Sequence, residues 1–262
     1  MRCFEHTMRL TPLSRDAVIT VCVPEEYTDE HRQYPVLYMN DGQNIVNPSR
    51  AYDGVTWGVK ESFETIPNLP EVIVVGIDSA PGKDRLDEYG PFPFTFEKES
   101  FEEKDEKVPG GKAEAYIQAI ESIVKPFVDA TYPTDPSPDA TGIMGSSMGG
   151  VIALYATVAH GDVFTRAASL SGAFFVSMEA FSELLKDADL SHINKVYLDT
   201  GDREEAGGTQ SDYLASNHGV HALLEKDLDP EKLRWRIIKG GHHHERDWSR
   251  RFPDVIRFLY SD

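Results

Sequence analysis

The segment Ala140-Thr-Gly-Ile-Met-Gly145-Ser-Ser147-Met-Gly-Gly150 constrains this chain more than any other. A short apolar run breaks into a Gly/Ser cluster, and Val151-Ile-Ala-Leu-Tyr-Ala-Thr-Val-Ala159 then continues without a Pro or Gly to interrupt a helix. Gly145-Ser-Ser147-Met-Gly149 fits the G-x-S-x-G pattern, in which a serine on a tight strand-to-helix turn is pushed out at the carboxyl edge of a sheet. Such a turn crowds the residues two before and two after the serine, which calls for glycine at both places. The positive end of the helix lies under the serine and favours an anion there. A flexible Gly/Ser turn has the same composition, but the strand before and the helix after favour a nucleophile at Ser147.

The remaining periodicity supplies strands and helices in alternation. Residues 2–10 and 17–23 read as an antiparallel hairpin, and Pro35–Met39 as a buried strand that breaks into Asn40-Asp-Gly-Gln-Asn44. A helix over Trp57–Phe63 and a strand over Glu71–Ile77 follow. Arg85 and Glu88, three apart, are expected to pair and fix a loop. Residues 92–111, rich in Phe and in charge, read as a surface excursion or a cover over the site. Apolar residues at three-and-four spacing predict a helix over Ala113–Tyr132, kinked at Pro126. After the Ser147 helix come strands at 167–172, 195–199 and 233–238, helices at 178–186 and 213–226, and a last helix from about 245 to 260.

Two further clusters fall at strand ends. Gly201-Asp202-Arg-Glu204-Glu205 follows one strand, and His242-His243-His244-Glu245 follows the next. A serine hydroxyl needs a histidine to take its proton, and the histidine needs a carboxylate to hold its tautomer. The order Ser, acid, His, each at the end of a successive strand, is that of α/β-hydrolases. Two backbone N–H donors for an oxyanion would come from Met148, after the serine, and Gln43, in the loop after the early strand. Three adjacent histidines cannot all face one ion, so no metal site is expected there.

One domain is expected over 1–262, since no Pro/Gly/Ser linker divides the chain and 40% hydrophobic content can fill a sizeable core. A net charge of −18 disfavours nucleic acid and anionic membranes as partners. No run approaches 18 apolar residues and the N-terminus lacks an apolar leader, so a cytoplasmic location is expected. Cys3 and Cys22 fall on the two arms of the hairpin, and in a reducing compartment they are expected to be free thiols.

On Tyr34-Pro-Val-Leu-Tyr-Met-Asn-Asp-Gly-Gln-Asn44, Arg85-Leu-Asp-Glu-Tyr-Gly-Pro91, Gly145-Ser-Ser-Met-Gly-Gly150, Tyr197-Leu-Asp-Thr-Gly201 and His243-His-Glu-Arg-Asp-Trp248, the chain resembles the α/β-hydrolase esterases that include esterase D and the enterochelin-esterase-like hydrolases. The resemblance spans nearly the whole chain. It implies a mostly parallel central sheet with an N-terminal antiparallel hairpin and helices on both faces, and a cofactor-independent serine esterase acting on a small-molecule ester. The family's His-x-Glu-x-x-Trp pattern selects His243 as base. Its Gly-Thr-x-Asp/Glu pattern places the acid on Glu204, with Asp202, which stands where the family has Thr, as the competitor. An acyltransferase with the same triad, or a binding protein on the same fold, are the alternatives. Sequence leaves open the oligomeric state and any contact of Lys83 or Arg85 with substrate.

Overall fold

The computed structural model describes residues 1–25, 27, 32–95 and 108–261. Its frame is one sheet of eight strands in the order β1-β2-β4-β3-β5-β6-β7-β8. These are β1 (Arg2–Leu10), β2 (Arg15–Val23), β3 (Val36–Asn40), β4 (Ile73–Ile77), β5 (Thr141–Ser146), β6 (Arg166–Leu170), β7 (Lys195–Arg203) and β8 (Leu233–His242). The hairpin β1–β2 runs antiparallel and β2 joins β4 antiparallel; β3 to β8 are parallel throughout. The chain thus has the α/β-hydrolase fold, with its antiparallel hairpin at one edge.

Strands buried on both faces explain the unbroken apolar runs. Val36 and Tyr38 of β3 join the core on one face, while Leu37 and Met39 join that on the other. The first core is closed by α3 (Ala113–Ala119), α4 (Lys125–Thr131), α5 (Met148–Ala159), α6 (Met178–Asp187) and α7 (Gln210–Leu224). The second is closed by α1 (Val59–Thr65), α8 (Glu245–Ser249) and α9 (Phe252–Tyr260).

Four local expectations are corrected. The kink at Pro126 is a π-helical turn, Ile120–Val124, between α3 and α4; proline has no N–H for the Ser122 carbonyl, and the wider turn absorbs the loss. The C-terminal helix is two, α8 and α9, broken around Arg250 and Arg251 with Pro253 in the first turn of the second. Arg85 and Glu88 lie not in a loop but on a short helix, α2 (Asp84–Tyr89), and do not pair with each other. Arg85 grips Asp41 through two bonds of 2.6 and 2.7 Å, and Glu88 takes two from Arg15 at 2.6 and 2.7 Å. Cys3 and Cys22 are disulfide-bonded, because the hairpin register sets them directly opposite, with Cα atoms 4.0 Å apart.

Of the expected excursion at 92–111, residues 96–107 lie outside the described residues. Before them, Phe92 packs edge-on against Tyr155 and Phe181; after them, the Gly110 N–H donates to Asp87 at 3.2 Å. The far edge of the sheet, β8, exposes Arg234, Arg236, Ile237 and Lys239. Among the described residues no helix is long and apolar enough to cross a membrane.

Candidate active site

Ser147 links β5 to α5 with φ 57° and ψ −127°. A serine held there costs about 1–3 kcal/mol and persists only where its surroundings over-determine it. They do: the Ser147 N–H donates to Leu170 O at 3.0 Å, and its carbonyl accepts from Gly150, Val151 and Ala173. A Cβ on Gly145 would lie 2.6 Å from Gly149 O, so the turn closes only over glycine. The side chain stays partly accessible while every other residue of 141–150 is buried.

Met148, first residue of α5, has an N–H with no intrahelical acceptor. Gln43 sits in a 3-10 turn, Gly42–Asn44, entered through Asp41 in the left-handed region at φ 57°. That loop is held on all sides. The Asp41 N–H donates to Tyr89 Oη at 3.0 Å while Arg85 grips its carboxylate. The Gln43 side chain exchanges bonds with Ser79, donating at 3.0 Å and accepting at 3.1 Å. Asn40 Nδ2 donates to Gly149 O, and Asn40 Oδ1 accepts from Tyr116. Burial pushes the Arg85 guanidinium toward losing its proton, but the Asp41 carboxylate outweighs this and its pKa is raised.

β7 runs past the expected end at Asp199 as far as Arg203, and its register against β8 shifts between Gly201 and Arg203. Gly201 pairs with Ile238, yet Arg203 pairs with His242. The irregularity brings Glu204 and His243, each one residue beyond that last pair, to the same level. His243 Nδ1 lies 2.7 Å from Glu204 Oε2. Asp202, the competing carboxylate, is turned away and accepts the Gly240 N–H at 2.6 Å.

Glu204 is fully buried. Burial alone would push its pKa up; the bond and charge of His243, then the Ser171 hydroxyl at 2.5 Å and the Gly201 N–H at 2.7 Å, hold it below the ordinary carboxylate value. The His243 ring stands between Tyr213 and Trp248, each 4.9 Å away centre to centre. The neighbouring histidines have other work: the His242 N–H donates to Asp247, and His244 accepts the Arg246 N–H at the start of α8 and meets Asp53.

Tyr213, Ser171 and Asn40 are site residues that sequence reasoning missed. Tyr213 is buried on α7, donates to Ala206 O at 2.7 Å and sets its ring against that of His243. Ser171 follows β6 in a Ser-Leu-Ser-Gly string that reads as a plain turn. Asn40 offers one signal, a polar residue closing a buried apolar strand.

Together these features define a hydrolase of the α/β class. The chain belongs to the family described as "Putative esterase", which matches residues 11–259. An uncharacterised protein of Bacillus subtilis, YbbA, is 25% identical over 245 residues, 92% of this chain and 91% of its own. Among solved structures, the enterobactin esterase FES of Shigella flexneri superposes with a TM-score of 0.76 at 19% identity over 99% of this chain, which spans 59% of FES. The BES protein of Bacillus cereus gives 0.75 at 16% identity, over 99% of this chain and 96% of its own.

Proposed function

We propose that this protein hydrolyses a small carboxylic ester through an acyl-enzyme on Ser147. His243 takes the Ser147 proton as the oxygen attacks the ester carbonyl, and Glu204 keeps the imidazole in the right tautomer and balances the imidazolium. The carbonyl oxygen becomes an oxyanion between the N–H groups of Gln43 and Met148. His243 then returns the proton to the leaving alcohol. Water repeats the sequence, releasing the acid and restoring Ser147; no cofactor enters the balance.

The 2.7 Å bond from His243 Nδ1 to the buried Glu204 is the observation that supports this reading best. Nothing else in the site needs an anionic carboxylate under an imidazole. FES is named an enterobactin esterase, which puts siderophore-type lactones first in an ester panel, before acetyl and feruloyl esters and thioesters.

Covalent labelling with a fluorophosphonate tests the proposal. One adduct is expected on Ser147 by intact mass and peptide mapping, absent from Ser147→Ala and strongly slowed in His243→Ala. Folded protein that takes no label overturns it.

A further inference from the structure

We infer that Ser171 is a positioning residue for the triad, its hydroxyl locked so that the only direction left for its proton is toward Glu204. Ser171 is fully buried just beyond β6, at φ 49°. A hydroxyl has one donor and two acceptor sites. Trp248 Nε1 donates to it at 3.0 Å and Arg251 Nη2 at 3.4 Å. Neither partner can accept, so both lone pairs are occupied and the O–H points to Glu204 Oε1, 2.5 Å away. Arg251 is buried as well, with Nε 3.3 Å from Asp199 Oδ2, so a cation stands behind the hydroxyl and polarises it toward the carboxylate.

The inference rests on the esterase reading, because it gives Ser171 a role only through Glu204 and His243. The charged and titratable groups around Glu204 are His243 after β8, Asp199 on β7, Arg251 between α8 and α9, and Tyr213 on α7; Glu245 on α8 faces His243. Asp199 repels an anion at Glu204, and Arg251 offsets it. Removing the Ser171 O–H leaves Glu204 with a greater affinity for a proton and for an imidazolium. Either change moves protonation of the His243–Glu204 pair to higher pH.

Two variants separate the hydroxyl from the backbone. Ser171→Ala deletes the hydroxyl and keeps the strained φ; Ser171→Gly deletes it and suits that φ. kcat/KM for a p-nitrophenyl ester is measured against pH alongside the thermal midpoint. Expected is an acid limb raised by about half to one pH unit in both variants, and kcat lowered about tenfold at pH 7 with KM little changed. Their midpoints should differ while their limbs agree. Fully active wild type with an unmoved limb in both variants overturns the inference alone. Wild type that neither turns over esters nor labels at Ser147 overturns the esterase reading and this inference with it.

Discussion

Asn40 Nδ2 donates to the carbonyl oxygen of Gly149 at 2.8 Å. This bond ties the end of β3 to the first turn of α5, and so helps to set the spacing between the backbone amides of Gln43 and Met148, the pair proposed for the oxyanion. A displacement of about 1 Å at such a site costs on the order of a hundredfold in rate. Asn40→Ala should lower kcat by about ten- to a hundredfold and leave KM nearly unchanged, because the loss is felt mainly in the transition state. Steady-state kinetics of the folded variant check it; a change confined to KM would argue for a substrate contact instead.

Glu204 and Asp202 should separate sharply. Glu204→Gln removes the charge under the imidazole and presents a donor to Nδ1, for which a loss of roughly 10³–10⁴ in kcat is expected. Asp202→Asn keeps an oxygen for the Gly240 N–H and should stay within about threefold of wild type. Comparable losses in both would refute the assignment of the acid.

Asp78 gives a pH signature. Its pKa is pushed up to about 6, chiefly by burial, with the Arg50 charge pulling the other way. Unfolded, it titrates near the ordinary aspartate value of about 3.9. As pH falls from about 6 toward 4, the folded state takes up a proton that the unfolded state does not, so this group's penalty on folding is relieved. Asp199, also raised to about 6 by burial, acts in the same window. Asp78→Asn removes one share of that slope. Relative to wild type, the variant's thermal midpoint should therefore be higher at pH 7.5 than at pH 4.5, as read by scanning fluorimetry across the range.

The disulfide closes a hairpin whose two cysteines stand 19 positions apart in the chain. Loop entropy sets an upper bound of about 3 kcal/mol for such a crosslink. That entropy is removed from the unfolded chain, and residual structure there brings the gain below the bound. Reduction, or Cys22→Ser, should lower the midpoint by about 3–8 °C. Thiol titration of the denatured chain should find two reactive groups only after reductant is added.

What sequence revealed and what it concealed divide by range. The elbow and the strand rhythm are written in spacings of a few residues, and the carboxylate cluster at 202–205 and the histidine cluster at 242–244 each stand beside the end of an apolar run. Arg85 could be matched locally only to Glu88; its partner Asp41 stands 44 residues earlier, and Glu88 is taken by Arg15. The choice between Glu204 and Asp202 turns on a register shift between β7 and β8, which no periodicity in either strand announces. Ser171 meets Glu204, Trp248 and Arg251 only when three strand ends converge. The cysteine pair depends on register as well: Cys3 and Cys22 meet because the hairpin sets them opposite each other, a relation that the composition of the chain does not carry.

The sheet ends in two unlike margins. At β1 it is stapled to its neighbour by a covalent bond, whereas β8 lies open with Arg234, Arg236 and Lys239 along it. Two copies of a chain of charge −18 repel at long range, but salt screens that repulsion within about 8 Å under physiological conditions. Inside this distance the local rim takes over, and a second copy approaching edge to edge meets Arg234, Arg236 and Lys239, of which Arg236 is partly offset by Asp254. Cationic side chains along an open strand disfavour its pairing with another edge, so the margin that the hairpin staple does not cover carries its own guard against growth into a longer ribbon.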